Sequence, residues 1–117
     1  MGLVEEQSAF LHDVNQLLAK AWELGFVVTA GEVYRTLDQQ KLYVLQGRSK
    51  TLNSRHLERM AIDLNCFRKK DSGELRLTYD KDELQPLGDY WEGLSDKNRW
   101  GGNWQNFKDT PHFERRR

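Results

Sequence analysis

The apolar residues of the first thirty positions change their spacing at a glycine. Between Phe10 and Trp22 they recur every three or four residues, which predicts a helix with one buried face. Gly25 ends this helix, and the apolar, β-branched run from Phe26 to Ala30 predicts a short buried strand. The residues expected on the buried face of the helix are Phe10, Leu11, Val14, Leu17, Leu18, Ala21 and Trp22.

A second helix and a strand hairpin follow. Thr36 with Gln39 three residues later has the pattern of a capping box, and the helix that it starts ends at Gly47. Residues 48–55 are polar and basic, which indicates an exposed loop. Between Met60 and Phe67 apolar and polar residues alternate with the period of a strand, and the turn residues after it predict a hairpin over 61–78.

The last third of the chain predicts one more helix and one more strand. Pro86 suits the first position of a short helix that runs to Leu94, since a proline there loses no needed donor. A glycine turn between Trp100 and Trp104 leads to a final strand near His112. This order of elements predicts a single α+β domain over residues 1–117, with helices packed on a small antiparallel sheet.

Composition narrows the class of protein. With 117 residues, 38% of them hydrophobic, the chain can bury one modest core. Eighteen basic residues balance eighteen acidic ones, so no net cationic field favours nucleic acid. The single Cys66 gives no internal disulfide and fits a strand core. No apolar run is long enough for a membrane span and no export signal is recognised, so we expect a cytoplasmic protein without membrane insertion.

Two histidines and one aspartate are the candidates for chemistry. Asp63 lies inside an otherwise apolar strand, where a carboxylate is costly unless a partner or a metal ion compensates it. His56 precedes that strand, and His112 follows Pro111, which keeps its segment out of a helix interior. A helical metalloprotease motif is therefore excluded, and a proline-led turn is needed to bring Asp109 and His112 to one centre.

At these residues the sequence resembles a known family of zinc-dependent D,L-peptidases, which includes VanX- and VanY-type enzymes and phage L-alanyl-D-glutamate endopeptidases. The resemblance covers most of the chain, and it departs from the family pattern where a glycine commonly precedes Ala61 and this chain has Arg59-Met60. That departure concerns the shape of a loop. The resemblance is carried by Val33-Tyr34-Arg35-Thr36 followed by Gln39 and Gln40, by Ser54-x-His56-x6-Asp63-Leu64, and by Trp100-Gly101-Gly102-x-Trp104-x2-Phe107-x-Asp109-x-Pro111-His112-Phe113-Glu114.

The resemblance implies a Hedgehog-like D-alanyl-D-alanine-peptidase fold and a role for each matched residue. It implies zinc as the cofactor, held by His56, Asp63 and His112, with Asp109 as catalytic base and Arg35 as a catalytic contact to the substrate. The residues expected to bind substrate are Ser54, Gln39, Trp100 and Trp104. Two imidazoles and one carboxylate would leave a coordination position open, as catalytic rather than structural zinc sites do.

Several alternatives stay open at this point. Arg35 could stabilise the oxyanion, bind a substrate carboxylate, or pair only with Glu32 or Asp38. Glu114 shares a strand face with His112 and competes with Asp109 for the role of base. The alternatives for the other candidates are a turn cap or a pair with Arg59 for Asp63, an Asx turn for Asp109, and core packing for Trp100 and Trp104.

The resemblance predicts an enzyme that hydrolyses an amide bond in the peptide stem of peptidoglycan. An endolysin-like L-alanyl-D-glutamate endopeptidase of phage or prophage lysis is the leading hypothesis, and cell wall degradation is its role. The alternatives are a D-Ala-D-Ala carboxypeptidase or dipeptidase, and a zinc-containing module that binds the cell wall without turnover. We expect a monomer that acts on the stem peptide, with a holin-type partner giving access to the wall.

Overall fold

The computed structural model describes residues 2–49 and 54–117, and within them the chain forms three α-helices and five strands. The helices are α1 (Leu3–Glu23), α2 (Leu37–Leu45) and α3 (Lys81–Leu94). The strands are β1 (Val27–Ala30), β2 (Ala61–Lys69), β3 (Leu75–Thr78), β4 (Asn98–Trp100) and β5 (His112–Arg115). Two short 3₁₀ helices, Arg55–Glu58 and Gly101–Asn103, precede β2 and follow β4.

The long strand β2 organises an antiparallel sheet in the order β1-β2-β5-β4. Its first residues pair with β5, so that Asp63 lies opposite His112, and its later residues pair with β1 on one edge and β3 on the other. The α+β architecture and the hairpin formed by β2 and β3 are confirmed.

The core fills the space between one face of this sheet and the helices α1 and α3. The side chains alternate along β2 and β5, so that Ile62 and Phe113 face the helices while Asp63 and His112 face the other way. Trp91 of α3 lies at the centre, with edge-on contacts to Phe10 at 5.7 Å and to Phe113 at 6.1 Å between ring centroids. Cys66 is buried here, as predicted.

Helix α1 starts seven residues earlier than the apolar spacing predicts and buries a narrower stripe. Phe10, Val14, Leu17 and Ala21 are in the core, as predicted. Leu11, Leu18 and Trp22 are exposed, so their assignment to the buried face was wrong; the sheet and α3 cover only one side of the helix. Among the described residues, no helix combines the length and the hydropathy needed to cross a bilayer.

Strand β1 is not buried, contrary to the prediction. Among the described strands it pairs with β2 alone and so forms an edge of the sheet, and Thr29 and Ala30 are exposed. Phe26, which precedes the strand and is 2% exposed, is the residue of this run that is buried in the core, and Val28 is partly buried against it.

Helix α3 begins before Pro86, which corrects the predicted start. Asp80 caps the helix by accepting a 3.0 Å hydrogen bond from the backbone N–H of Glu83. Pro86 therefore lies in the second turn, where the backbone of Asp82 loses one hydrogen-bond donor. The buried side chains of Leu84, Leu87 and Trp91 stabilise the helix despite this loss.

Strand β4 was not predicted, and it explains the Trp-Gly-Gly segment. The Trp100 side chain is fully buried against α3 and donates its indole N–H to the carbonyl of Thr110 at 2.8 Å. A Cβ at Gly88 or Gly102 would lie 2.0–2.2 Å from the Trp100 ring, so both positions need glycine for the indole to fit.

Candidate active site

A cleft of about 850 Å³ lies on the face of β2 and β5 that points away from α1 and α3. Asp63 and His112 contribute to its floor, and the segments around α2 and the turn before β5 form its walls. The same alternation that buries Ile62 and Phe113 therefore places ionisable side chains at the base of an open pocket.

His56 is held by backbone groups on both sides. It lies in the 3₁₀ helix Arg55–Glu58, whose first turn is capped by Ser54 Oγ, which accepts from the N–H of His56 at 3.2 Å. The ring is 1% exposed, and Nδ1 lies 3.0 Å from the carbonyl oxygen of Val33. Because a carbonyl only accepts, Nδ1 carries the proton and Nε2 turns its lone pair toward Asp63.

Asp63 is fixed by close backbone approaches on one edge of β2. Its N–H donates to Glu32 O at 2.9 Å, and its carbonyl accepts from the N–H of Gly31 at 2.7 Å. A Cβ at Gly31 would lie 3.1 Å from the Cβ of Asp63, so only a residue without a side chain fits comfortably. On the other edge, the β5 pairing sets Asp63 opposite His112.

His112 is oriented by a carboxylate rather than by a carbonyl. Its Nε2 lies 2.8 Å from Glu114 Oε1, so Nε2 is the protonated nitrogen and Nδ1 faces Asp63. Glu114 is 7% exposed, and its other oxygen accepts from Arg116 Nε at 3.1 Å. Glu114 thus positions the imidazole of His112. Its carboxylate, which was the alternative to Asp109 as the base, is engaged in this hydrogen bond.

The three predicted ligands meet at one point. His56 Nε2 and His112 Nδ1 each lie 3.4 Å from Asp63 Oδ1, and the three donor atoms are all within 4.8 Å of one another. Bonds of about 2 Å around one zinc ion would put neighbouring ligand atoms about 3.3 Å apart. His56 Nε2 and Asp63 Oδ1 are buried without a hydrogen-bond partner among the described residues, so this donor set fits a divalent cation.

The neighbouring charges in this cluster change the pKa values of Asp63 and His112. Burial alone would raise the pKa of Asp63, but the neighbouring imidazoles of His112 and His56 outweigh it and hold that pKa well below its usual range. Burial likewise opposes a charged His112, yet the carboxylates of Asp63 and Glu114 raise the pKa of this imidazole to about 9. Asp63 is therefore an ionised carboxylate that attracts positive charge to this point.

Asp109 lies beside this cluster at the mouth of the cleft. Its Oδ2 is 4.0 Å from His112 Nδ1, and its side chain is 38% exposed. The turn that carries it is closed by a hydrogen bond from His112 N–H to the Asp109 carbonyl, and a Cβ at Gly101 would meet that carbonyl at 2.2 Å. Burial raises the pKa of Asp109 above its ordinary value, which favours proton exchange.

Arg35 reaches the cleft through a set of specific contacts. Its Nε donates to Glu32 Oε2 at 2.6 Å and its Nη1 donates to Gln40 Oε1 at 2.7 Å. Tyr43 packs its ring 4.6 Å from the guanidinium and donates its hydroxyl to Glu32. Arg35 Nη2 is then 3.9 Å from Asp63 Oδ2, so the arginine pairs with Glu32 and also faces the candidate metal site.

The model of the D-alanyl-D-alanine carboxypeptidase family matches residues 47–115, which is more than half of the chain and includes His56, Asp63, Asp109 and His112. The chain belongs to this peptidase family. In fold it is similar to the L-Ala D-Glu endopeptidase ChiX of Serratia marcescens, with 24% identity, a TM-score of 0.66, and coverage of 95% of this chain and 84% of that chain. No curated protein sequence matches the chain.

The four residues predicted to bind substrate have different positions in this family member. Ser54 and Trp104 line the cleft, and the Trp104 ring lies 5.1 Å from the ring of His112. Gln39 does not line it; its backbone N–H donates to Thr36 Oγ1 and completes the cap of α2. Trp100 is fully buried, so the prediction that it binds substrate was wrong and its core alternative holds.

The loop that departs from the family pattern has a specific backbone conformation. Arg59 ends the 3₁₀ helix Arg55–Glu58 with φ at 56°, in the left-handed region where glycine is favoured. The Arg59 guanidinium lies 4.2 Å from the ring of Tyr34, a contact that glycine could not make. Arg59 therefore takes up the left-handed conformation at the end of the turn that carries His56 although it is not a glycine.

The sequence did not indicate which residues hold Arg35 in place, and it did not distinguish Arg48, which also lies in the cleft wall. Gln40 and Tyr43 lie one turn apart on the buried face of α2, and that helical spacing was a usable signal for choosing Gln40 over Gln39. Glu32 was considered only as a salt-bridge partner of Arg35. Arg48 was part of an unassigned polar loop, and nothing in its local sequence distinguishes it from the other basic residues there.

Proposed function

We propose that this family member is a zinc-dependent peptidase that hydrolyses an L-alanyl-D-glutamate bond in the peptide stem of peptidoglycan. The observation that carries the proposal is the convergence of His56 Nε2, Asp63 Oδ1 and His112 Nδ1 at the floor of an open cleft, beside Asp109. Two of these atoms are buried and unpaired among the described residues, which is costly unless an ion binds there.

Each residue then has a distinct task. His56, Asp63 and His112 would hold zinc, which when bound supplies a Lewis acid for the scissile carbonyl and lowers the pKa of water. Asp109, with its raised pKa, accepts the proton of the attacking water and delivers it to the departing amine. Arg35, held by Glu32 and Gln40, keeps Nη2 directed at the site and stabilises the negative charge that develops on the carbonyl oxygen.

The choice of bond rests on the structural neighbour and the shape of the cleft. ChiX is described as an L-Ala D-Glu endopeptidase, and the cleft here has a volume of about 850 Å³, which can accept more than a dipeptide. Trp104 presents a half-buried indole ring beside His112 in the lining of the cleft, against which a peptide can pack. The second candidate is a D-Ala-D-Ala carboxypeptidase, because the family description names that activity.

Mass spectrometry of purified muropeptides after digestion tests the proposal and separates the two activities. Cleavage between L-alanine and D-glutamate is expected, which releases the part of the stem that follows L-alanine. Elemental analysis of untagged protein should find about one zinc per chain. Loss of terminal D-alanine alone would assign the carboxypeptidase activity instead. Intact walls after treatment with zinc-loaded protein at every pH would favour a binding module without turnover, and Asp109→Asn provides the matched inactive control.

Access to the wall and the state of association complete the proposal. Our expectation is that the enzyme acts as a monomer and reaches the stem peptide with the help of a membrane-permeabilising partner of the holin type. Sedimentation analysis of the zinc-loaded protein measures the first point. Co-expression with and without a holin, scored by lysis of the culture, measures the second, and equal lysis in both cultures would contradict it.

A further inference from the structure

Arg48 lies in the wall of the cleft, just beyond the end of α2. Gly47 takes a positive φ of 73° and donates its N–H to the Val44 carbonyl at 3.2 Å, while the N–H of Arg48 donates to the Tyr43 carbonyl at 2.8 Å. These two bonds form a Schellman motif, which is a well-defined helix terminus. The backbone of Arg48 is therefore fixed although its side chain is exposed.

The side chain of Arg48 is also placed by a ring contact. Its guanidinium carbon lies 4.3 Å from the centre of the Tyr43 ring, and the guanidinium carbon of Arg35 lies 4.6 Å from the same ring. Tyr43 cannot move freely, because its hydroxyl donates to Glu32. One tyrosine thus supports two guanidinium groups at the same wall of the cleft.

The charge environment distinguishes Arg48 from the other three arginines that line the cleft. Arg35 pairs with Glu32 at 2.6 Å, Arg55 with Glu58 at 3.2 Å, and Arg116 with Glu114 at 3.1 Å. In the part of the chain that the structure describes, no carboxylate lies within 4.0 Å of the Arg48 guanidinium. Its donors are thus oriented in the cleft without a protein anion to bind.

We propose that Arg48 binds a carboxylate of the substrate peptide next to the bond that is cleaved, and so makes the enzyme prefer a free carboxylate over a carboxamide. This inference rests on the proposed function. Two carboxylates of stem peptides have the required chemistry. The α-carboxylate of the D-glutamyl residue is next to the L-alanyl-D-glutamate bond, and the terminal carboxylate is next to the bond that the second candidate activity would cleave. A planar guanidinium binds either through paired hydrogen bonds, and amidation removes the charge that strengthens them.

Binding of four synthetic stem peptides to the zinc-loaded Asp109→Asn protein tests the proposal by calorimetry. Two peptides differ only in a free or amidated glutamyl α-carboxyl group, and two differ only in a free or amidated C-terminus. We expect about tenfold weaker binding when one of these groups is amidated, as charged hydrogen bonds provide. The pair that shows the difference identifies the carboxylate that is bound.

Adding Arg48→Gln to that protein should abolish the preference by weakening the binding of the free-carboxylate peptide about tenfold. Arg55→Gln is the matched control, because it removes the same charge from the same cleft at an arginine already paired with Glu58, and it should keep the preference. A preference that survives Arg48→Gln, an equal loss in both variants, or the lack of any preference would overturn the proposal.

Hydrolysis measured with unmodified Asp109 separates this proposal from the function on which it rests. Cleavage of free and amidated peptides at equal kcat/KM would retain the peptidase and reject the role of Arg48. Carboxylate-selective binding that depends on Arg48, without any cleavage, would retain the role of Arg48 and reject the peptidase.

Discussion

The two faces of β2 and β5 differ in the kind of interaction that holds their side chains in place. On the face toward α1 and α3, Ile62 and Phe113 pack among apolar side chains, and their positions depend on shape and volume. On the cleft face, one residue away along each strand, Asp63 and His112 are held by individual polar contacts with identified atoms. One face thus tolerates changes that conserve volume, whereas the other depends on single hydrogen bonds.

The largest effect is expected from removing a ligand on the cleft face. His56→Ala should lower hydrolysis of stem peptides roughly 10³-fold or more, because several kcal/mol of charge stabilisation are lost with the metal. Zinc content by elemental analysis should fall to a trace, and chelator treatment of the unmodified protein should have the same effect. Near-native circular dichroism is expected, since the core face is untouched. An active, zinc-replete variant would contradict the site.

The core face is best tested at a position where volume alone changes. Gly88→Ala would place a methyl group 2.0 Å from the Trp100 ring and should destabilise the fold by about 3 kcal/mol in urea unfolding. Gly93→Ala in the same helix is the control, because a Cβ there meets no atom within 4 Å. That variant should be neutral or stabilised by up to about 1 kcal/mol. Similar losses in both would show that steric fit at Trp100 does not matter.

A third change separates positioning from ligation on the cleft face. Glu114→Gln replaces the carboxylate on His112 Nε2 by an amide and should weaken zinc binding by about 10- to 100-fold with little change in fold. Arg116→Gln removes the other partner of Glu114 but leaves the bond to His112, so its zinc affinity should stay near that of the unmodified protein. Competition with a chromophoric chelator measures both, and unchanged affinity in Glu114→Gln would reject the positioning role.

The core side also contains a cluster of charges. The pH dependence of the unfolding free energy that this cluster causes is the smallest expected effect. Hydrogen bonds from Lys97 and Arg115 lower the pKa of buried Glu6 from 4.5 to about 2. The stabilisation by this ion cluster is complete above pH 4.5 and is lost as the pH falls toward 2. In that range the carboxylate of Glu6 takes up a proton more readily in the unfolded chain than in the folded one. The gap in unfolding free energy between the unmodified protein and Glu6→Gln should therefore narrow below pH 4.5.

Glu5→Gln is the control for this pH effect, because Glu5 lies on the exposed side of the same turn of α1. Its unfolding curves should follow those of the unmodified protein across the acid range. A gap for Glu6→Gln that stays constant from pH 6 to pH 2 would mean that the ion cluster does not contribute to stability in this way.

The sequence predicts the fold where a periodic pattern and a buried face coincide. The alternation along β2 and the Phe10–Ala21 stripe of α1 are of this kind. The pattern misleads where burial depends on tertiary neighbours: β1 is apolar yet lies at the sheet edge, and Trp22 continues the helical spacing where nothing covers it. Pro86 misled for another reason, since packing of Trp91 and its neighbours outweighs one lost hydrogen bond.

For the site, sequence spacing and family resemblance predict which ligands meet but not what orients them. His56, Asp63 and His112 converge as expected. The partners of their other atoms, the Val33 carbonyl and Glu114 Oε1, depend on how a turn and a strand are placed in space. A backbone carbonyl has no sequence signal at all. The role proposed for the exposed Arg48 depends on which described residues surround its guanidinium in space.

The pairing of Glu6 with Arg115 joins positions 109 residues apart. On a ribosome, therefore, α1 emerges long before the strand that secures it, and His112 of the candidate metal site is translated only a few codons ahead of Arg115. A nascent or truncated chain that ends before β5 lacks both the Glu6–Arg115 pair and the candidate ligand His112. The three candidate ligands can therefore come together only after β5 has been synthesised.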